Sequence, residues 1–166
     1  LDKKWTYWSE NGRKKSETSY QKGLKDGPTI FWNADNIKIL EGSHKKSEKN
    51  GQWISWYEDG TLKSKEEYLN GEKNGQWVWW DPNGIKLQEG EYKNGVKHGT
   101  WIAWKDSDHK SIEETFLNGK VDGLVTVWFD NGNKDREGII RGNEPEGKWT
   151  YYYPDGEKDF IFDYGN

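Results

Sequence analysis

Six glycines recur at intervals of 24 residues, without one insertion or deletion, along a chain of 166 residues. They are Gly27, Gly51, Gly75, Gly99, Gly123 and Gly147. A fixed period of this length is typical of a repeat protein, in which each repeat buries its apolar face against its neighbours. The period predicts one repeat array over residues 1–166, with repeats at about 3–26, 27–50, 51–74, 75–98, 99–122, 123–146 and 147–166.

Each repeat carries a turn signature between two β-prone runs. The segments EDG, PNG, DNG and PDG place an acidic residue or proline first, then Asn or Asp, and then glycine, which is typical of a type I turn closed by a G1 bulge. Asn36 and Asp108 replace the glycine in two repeats, and both residue types tolerate a positive φ. The turn glycines are Gly12, Gly60, Gly84, Gly132 and Gly156.

Short polar segments such as LNGEKNG connect one hairpin to the next. We therefore predict an all-β fold, an elongated single-layer antiparallel meander of about seven stacked hairpins, which is a solenoid. Leu, Ile, Val and Phe make up only 28 of the 166 residues, whereas the chain has 12 Trp and 9 Tyr. Because each aromatic side chain buries roughly 150–250 Å², aromatic packing is predicted to replace an aliphatic core.

Eleven of the 12 tryptophans fall into two columns of the repeat, and Trp79 lies outside both. The first column is five residues after the repeat glycine: Trp8, Trp32, Trp56, Trp80, Trp104, Trp128 and then Tyr152. The second column is two residues after it: Trp5, Trp53, Trp77, Trp101 and Trp149. Because side chains alternate along a strand, positions three apart project to opposite faces of a sheet.

The first column is predicted to be the structural ladder of the fold. If each hairpin has only the G1 bulge at its turn, Trp80 shares its face with Lys86 and Tyr92, so that aromatic rings stack from hairpin to hairpin. The lysine stem can then lie over the indole with its ammonium group in water.

The second column is predicted to be less completely buried, because glutamates border it across the hairpin. These are Glu41, Glu89, Glu113 and Glu137. If the chain binds a ligand, an aromatic strip of this kind is the place for it, and a purely structural role is the alternative. The candidate binding face consists of Trp53, Trp77, Trp79, Trp101 and Tyr7.

The sequence predicts no catalytic site, no metal site and no cofactor. The histidines His44, His98 and His109 fall in different parts of the repeat, and the chain has no Cys for a nucleophile or a zinc cluster. The segment DSD at 106–108 falls in a hairpin turn, where Asp is favoured for backbone reasons. The glycines recur with the hairpin period and never open a helix, so no phosphate loop is indicated.

The pattern G-x-W-x-x-W/Y-x-x-x-G, followed by Lys, by Tyr or Phe and then by NG, resembles the MORN-repeat superfamily. The segments WYEDG…EEYLNGEKNGQW and GEYKNGVKHGTW are most similar to the bacterial variant found in the YwqK-type antitoxin family. Thr29, Val125, His44 and Ile140 depart from the pattern. The resemblance implies a stack of hairpins used as a scaffold, and toxin neutralisation for the YwqK-type group, but it supplies no binding residues.

These observations favour a non-enzymatic scaffold for protein–protein interaction, with an antitoxin or immunity role as a special case. The alternative is a carbohydrate or cell-wall binding module that uses the aromatic strip. A pI near 5.5 argues against nucleic acid and disfavours anionic membrane lipid, whereas an exposed edge strand is expected to favour self-association. The chain starts in mid-pattern and has no Met, which indicates that an N-terminal segment has been removed. The resemblance points to a bacterial protein, either cytoplasmic or exported.

Overall fold

The computed structural model describes residues 3–165, which divide into two compact units at residues 84 and 85. The first unit is one antiparallel sheet in which consecutive strands pair. Its strands are β1 (Lys3–Trp8), β2 (Lys14–Gln21), β3 (Leu24–Trp32), β4 (Lys38–Lys45), β5 (Glu48–Lys49), β6 (Gly51–Trp56), β7 (Leu62–Leu69) and β8 (Glu72–Trp80). The short β5 pairs with β4, and β6 then continues along the same partner.

The second unit is also an antiparallel meander of consecutive strands. Its strands are β9 (Lys86–Lys93), β10 (Val96–Trp104), β11 (Lys110–Leu117), β12 (Lys120–Trp128), β13 (Lys134–Arg141), β14 (Glu144–Tyr152) and β15 (Lys158–Asp163). The predicted all-β meander of hairpins is thus confirmed within each unit. Over residues 3–165, no helix is long and apolar enough to cross a membrane. The division of the whole chain into one array stays a prediction.

The hairpin turns follow the predicted chemistry at the turn glycines. Gly60, for example, has φ of 90° and donates its N–H to the carbonyl of Tyr57 at 2.9 Å, which closes a type I turn. Asn36 takes the same left-handed conformation, with φ of 63°. The expectation for Asp108 was wrong, because this residue does not have a positive φ. Its turn is held instead by Asp106, which accepts hydrogen bonds from the N–H groups of Asp108 and His109.

The polar segments between hairpins are tight two-residue turns. Asn70 and Gly71 have φ of 49° and 84°, and the strands on either side pair at Leu69 and Glu72. Two consecutive positive φ values define the type I′ turn, whose twist matches that of antiparallel strands. The Asn-Gly pairs therefore reverse the chain between hairpins, as the glycine turns do within each hairpin.

The hairpins whose two strands lie within one unit contain a second bulge, and this bulge reverses the predicted faces. In β6 and β7, Ser55 pairs with Ser64 but Trp56 pairs with Leu62, so Lys63 is an extra residue. The same shift occurs beside Trp8, Trp32, Trp104 and Trp128. A shift of one residue moves every following side chain to the other face of a sheet. The Tyr column therefore packs on the second Trp column: the rings of Tyr68 and Trp77 are 5.2 Å apart.

The core lies on the face of the second Trp column, which is the reverse of the prediction. Trp53, Trp77 and Trp101 are only 3%, 2% and 1% exposed, whereas Trp80 and Trp104 are half-buried. Each buried indole contributes about 4–6 kcal/mol of transfer free energy at 150–250 Å² per side chain. The first column is therefore the outer ladder and the second is the inner one.

Three glycines accommodate the buried indoles on the neighbouring strand. A Cβ atom at Gly42, Gly90 or Gly138 would lie 2.2–2.3 Å from an indole carbon of Trp53, Trp101 or Trp149, respectively. Opposite Gly90 the pairing of β9 and β10 opens, because Glu91 pairs with His98 and Glu89 with Ile102. Three residues of β10 thus face one glycine, and the indole occupies the space above its main chain.

We expect Trp101→Ala to cost about 3–5 kcal/mol of unfolding free energy, because it empties a fully buried site. Trp104→Ala should cost clearly less, since its indole is half-buried. Urea denaturation of both variants, followed by far-UV circular dichroism, measures the difference. Equal losses, or a larger loss for Trp104→Ala, would contradict the assignment of the core face.

Gly90→Ala should destabilise the chain by about 1–3 kcal/mol, because the new methyl group meets the indole of Trp101. The sign of the change in unfolding free energy is informative, since replacing glycine by alanine in an unhindered strand favours folding. Glu114→Ala is the matched control: Glu114 occupies the equivalent position one repeat further along, pairs with Trp101 and already has a Cβ atom. A stabilised Gly90→Ala variant would show that the indole can move aside at little cost.

Candidate functional site

Three of the five residues predicted as a binding face are core residues. The indole N–H groups of Trp53, Trp77 and Trp101 donate to main-chain carbonyls of Ser43, Glu67 and Glu91 at 2.9–3.1 Å. Their burial leaves no ring face for a ligand. The predicted site is therefore wrong for these three side chains, and the cause is the second bulge of each hairpin.

Lysine ammonium groups cover the inner indoles. Lys49, Lys73 and Lys97 lie 4.5, 4.4 and 4.1 Å from the ring centroids of Trp53, Trp77 and Trp101, respectively. A cation this close to an indole is attracted by the ring quadrupole, while its aliphatic stem shields the ring from water. These lysines stabilise the core and do not form a basic binding surface.

The outer ladder is built from indoles, lysines and glutamates in a repeating order. Lys86 and Lys110 lie 4.6 and 5.5 Å from the ring centroids of Trp104 and Trp128. A lysine thus lies over the first Trp column, but over the indole of the following hairpin, whereas the prediction had placed Lys86 with Trp80 of its own hairpin. The glutamates lie on this same face and not beside the second column, because each pairs with the lysine three residues before it. These ion pairs are Lys38–Glu41, Lys86–Glu89, Lys110–Glu113 and Lys134–Glu137.

The carboxyl groups whose pKa is lowered have structural partners. The hydrogen bond from Lys134 and then that from the Tyr152 hydroxyl lower the pKa of Glu137. Lys14 and Lys4 lower the pKa of Glu17 in the same way. The N–H of Asp108, followed by the His109 ring, lowers the pKa of Asp106. None of these groups is poised as a general base near neutral pH.

Within residues 3–165, the structure brings together no group of three or more His, Asp or Glu side chains that could hold a metal ion. Asp106 and Asp108 of the DSD segment belong to the turn described above. His44 instead accepts or donates a hydrogen bond at Thr29 Oγ1, at 2.9 Å from its Nδ1, and packs edge-on against Trp53. It takes the place that tyrosine has in other repeats.

One row of the inner face differs in residue type from repeat to repeat, and we call it the variable row. It lies two residues beyond the core tryptophans, and its members are directly paired across neighbouring strands. In the first unit it contains Tyr7, Ser16, Phe31, Leu40, Ser55, Ser64 and Trp79. In the second unit it contains Gln88, Ala103, Ile112, Val127, Arg136 and Tyr151.

Trp79 belongs to this row, which explains why it lies outside both columns. It is paired with Ser64, whose hydroxyl hydrogen-bonds that of Ser55 at 2.7 Å. Its ring centroid is 5.3 Å from that of Trp77. A large indole thus lies next to two small side chains, which accounts for Ser64 being 3% exposed. Trp79 itself is half-buried.

Tyr7 is the member of the predicted binding face that the structure exposes most, at 71%. Together with Phe31 and Ser16 it forms a crevice of about 420 Å³, whose lining includes Arg13, Lys15 and Ile39. Ser16 on β2 pairs with Tyr7 on one side and with Phe31 on the other. Because neighbouring strands are about 4.8 Å apart, the main chains that carry the two rings are about 9.5 Å apart, with a small residue between them.

Phe31, Ser16 and Lys15 were not among the predicted site residues. Phe31 is flanked in sequence by residues of both columns, and Lys15 is the extra residue of the bulge between β1 and β2. The signal that could have found them is the variation within the repeat. The two Trp columns keep one residue type in most repeats. The position held by Tyr7, Phe31, Ser55 and Trp79 in successive repeats does not.

The family model of the MORN repeat variant matches residues 49–70, 73–94 and 145–166. These three segments are similar to the MORN repeat variant. The three matches begin at the same position of the 24-residue period, so they coincide with the hairpin repeat read from the glycines. MORN repeats commonly serve as binding or scaffold modules. A comparison with curated proteins found no match to the chain.

His44 should make stability depend on pH. Burial, and then the ammonium groups of Lys25 and Lys49, lower the pKa of His44 below its usual 6.5. The unfolded chain therefore binds more protons as the pH falls below 6.5, so the stabilisation is complete above that value and declines below it. We expect the unfolding free energy to fall between pH 7 and 5.5, and His44→Tyr to flatten this slope. Urea titrations at several pH values test this, and parallel slopes would exclude the effect.

Proposed function

We propose that this protein is a non-enzymatic scaffold that binds another protein through the variable row of its inner face. The observation that carries the proposal is the difference between the repeat positions that pack in the same way in each hairpin and the positions of the variable row. The two Trp columns, their lysines and the turn residues are occupied by packing that repeats from hairpin to hairpin. The variable row lies on the same face as the core tryptophans but changes its residue type from repeat to repeat, as expected for the part of a repeat protein that recognises a partner.

The proposal agrees with the chemistry of the described residues. The carboxyl groups whose pKa is lowered accept hydrogen bonds from lysines, a tyrosine and turn N–H groups. These hydrogen bonds stabilise the sheet and its turns. The MORN-type repeats add the general tendency of such modules to bind or to organise partners. The finer proposal of a toxin-neutralising protein rests on the similarity to the YwqK-type group.

The carbohydrate alternative now rests on fewer residues. Sugar rings would need exposed aromatic faces, and burial removes Trp53, Trp77 and Trp101 from the strip. Tyr7 is exposed and Phe31 is half-buried, so a glycan that stacks on these rings would bind at the same crevice. One experiment can therefore compare the two classes of ligand at one place.

The intact chain and its Tyr7→Ser variant, used as affinity baits, test the proposal. We expect the intact chain to recover a specific protein that binds it again as purified components, and the variant to recover at least tenfold less. Tyr153→Ser is the matched control, since Tyr153 is also exposed but lies in a turn of the second unit.

Recovery of glycan without protein would support the carbohydrate alternative. A partner retained in full by Tyr7→Ser would leave a scaffold that binds elsewhere. A recovered protein that arrests growth when produced alone, and not when produced with this chain, would establish the toxin-neutralising role.

A further inference from the structure

The crevice between Tyr7 and Phe31 has the dimensions of a slot for one side chain. The strands that carry the two aromatic rings are about 9.5 Å apart, and this spacing leaves room for one ring or branched side chain, because each van der Waals contact takes about 3.5–4 Å. Ser16 between them is too small to fill this space. Ile39 adds an apolar patch, and the crevice volume of about 420 Å³ lies within the usual range of ligand sites.

Positive charge surrounds this slot. Arg13, Lys14 and Lys15 are consecutive and all line the crevice. Arg13 lies near Asp35 and donates to the carbonyl of Ala34, and Lys14 is paired with Glu17. Lys15 is exposed, because the bulge between β1 and β2 makes it the unpaired residue of the strand.

The charge of the chain is unevenly distributed along its length. Residues 1–50 contain 11 Lys and Arg against 7 Asp and Glu, whereas residues 51–166 contain 14 against 22. The slot therefore lies in the basic part of an acidic protein. A ligand with a few negative charges gains from this region, and a long polyanion such as nucleic acid would meet the net negative remainder.

We propose that this slot recognises an acidic segment of a partner protein, which inserts one aromatic or leucine-sized side chain between Tyr7 and Phe31. The flanking carboxylates of that segment pair with Lys15 and Arg13. An uncharged glycan could accept hydrogen bonds from these cations but would gain no charge–charge attraction. The proposal rests on the proposed function, and it specifies the chemistry of the partner.

The test uses a phage-displayed library of random twelve-residue peptides, selected on the full chain. We expect the enriched peptides to contain one aromatic residue or leucine flanked by at least two acidic residues. A synthetic fluorescent copy of the most enriched peptide then gives Kd by anisotropy. Replacing its aromatic residue or leucine with alanine should weaken binding at least tenfold, and added salt should raise Kd.

Variants of the chain locate the site. Tyr7→Ala and Lys15→Glu should each weaken peptide binding at least tenfold. The matched controls Tyr153→Ala and Lys120→Glu change an exposed tyrosine and an exposed lysine that do not line the slot, and they should leave Kd unchanged. Circular dichroism confirms that all four variants are folded.

Three results would overturn the proposal: no enrichment, enrichment without acidic residues, or equal losses in the control variants. Tighter binding of a twelve-nucleotide oligothymidine or of chitohexaose, with loss in Tyr7→Ala, would assign the slot to another class of ligand. If peptides fail here while the affinity experiment still recovers a protein, the slot is wrong and the scaffold function stands.

Discussion

The structure depends on an indole that lies against the main chain of the neighbouring strand. Trp101 shows the arrangement most fully: its ring covers Gly90, its N–H donates to the carbonyl of Glu91, and Lys97 closes it from solvent. This one residue buries apolar area, satisfies its polar atom and fills the place where strand pairing opens. A chain with few aliphatic residues can therefore build a core within a sheet.

The distribution of the remaining residue types follows from this arrangement. The tyrosine column packs edge-on against the indoles, as in the pair of Tyr92 and Trp101 at 5.0 Å. The outer ladder can be half-buried because lysines and glutamates protect its rings. What is left for recognition is the row beyond the core, where Tyr7 and Phe31 flank a serine. The candidate site is thus a product of the same periodicity that builds the scaffold.

Much of this fold could be predicted from the period and the turn residues. The Gly turns, the antiparallel hairpins and the separation of Trp77 and Trp80 onto opposite faces all follow from spacing alone. Which of the two faces is the core did not follow, because that depends on one extra residue such as Lys63. A bulge of this kind has no glycine or proline to mark it, yet it reverses the surroundings of every aromatic column. The candidate site was predicted only at Tyr7, because the crevice needs Ser16 and Phe31 from two further strands.

The glycines under the indoles are spaced by 48 residues, which is twice the hairpin period. Gly42, Gly90 and Gly138 mark every second hairpin, whereas Thr18, Glu66 and Glu114 occupy the alternate ones. The positions beside the indoles therefore repeat every two hairpins, although the turns repeat with every hairpin. An array of this type can be lengthened or shortened by two hairpins with every indole kept on its proper neighbour. A change by one hairpin would instead break the alternation of glycine with Thr18, Glu66 and Glu114 on the strands beside the indoles.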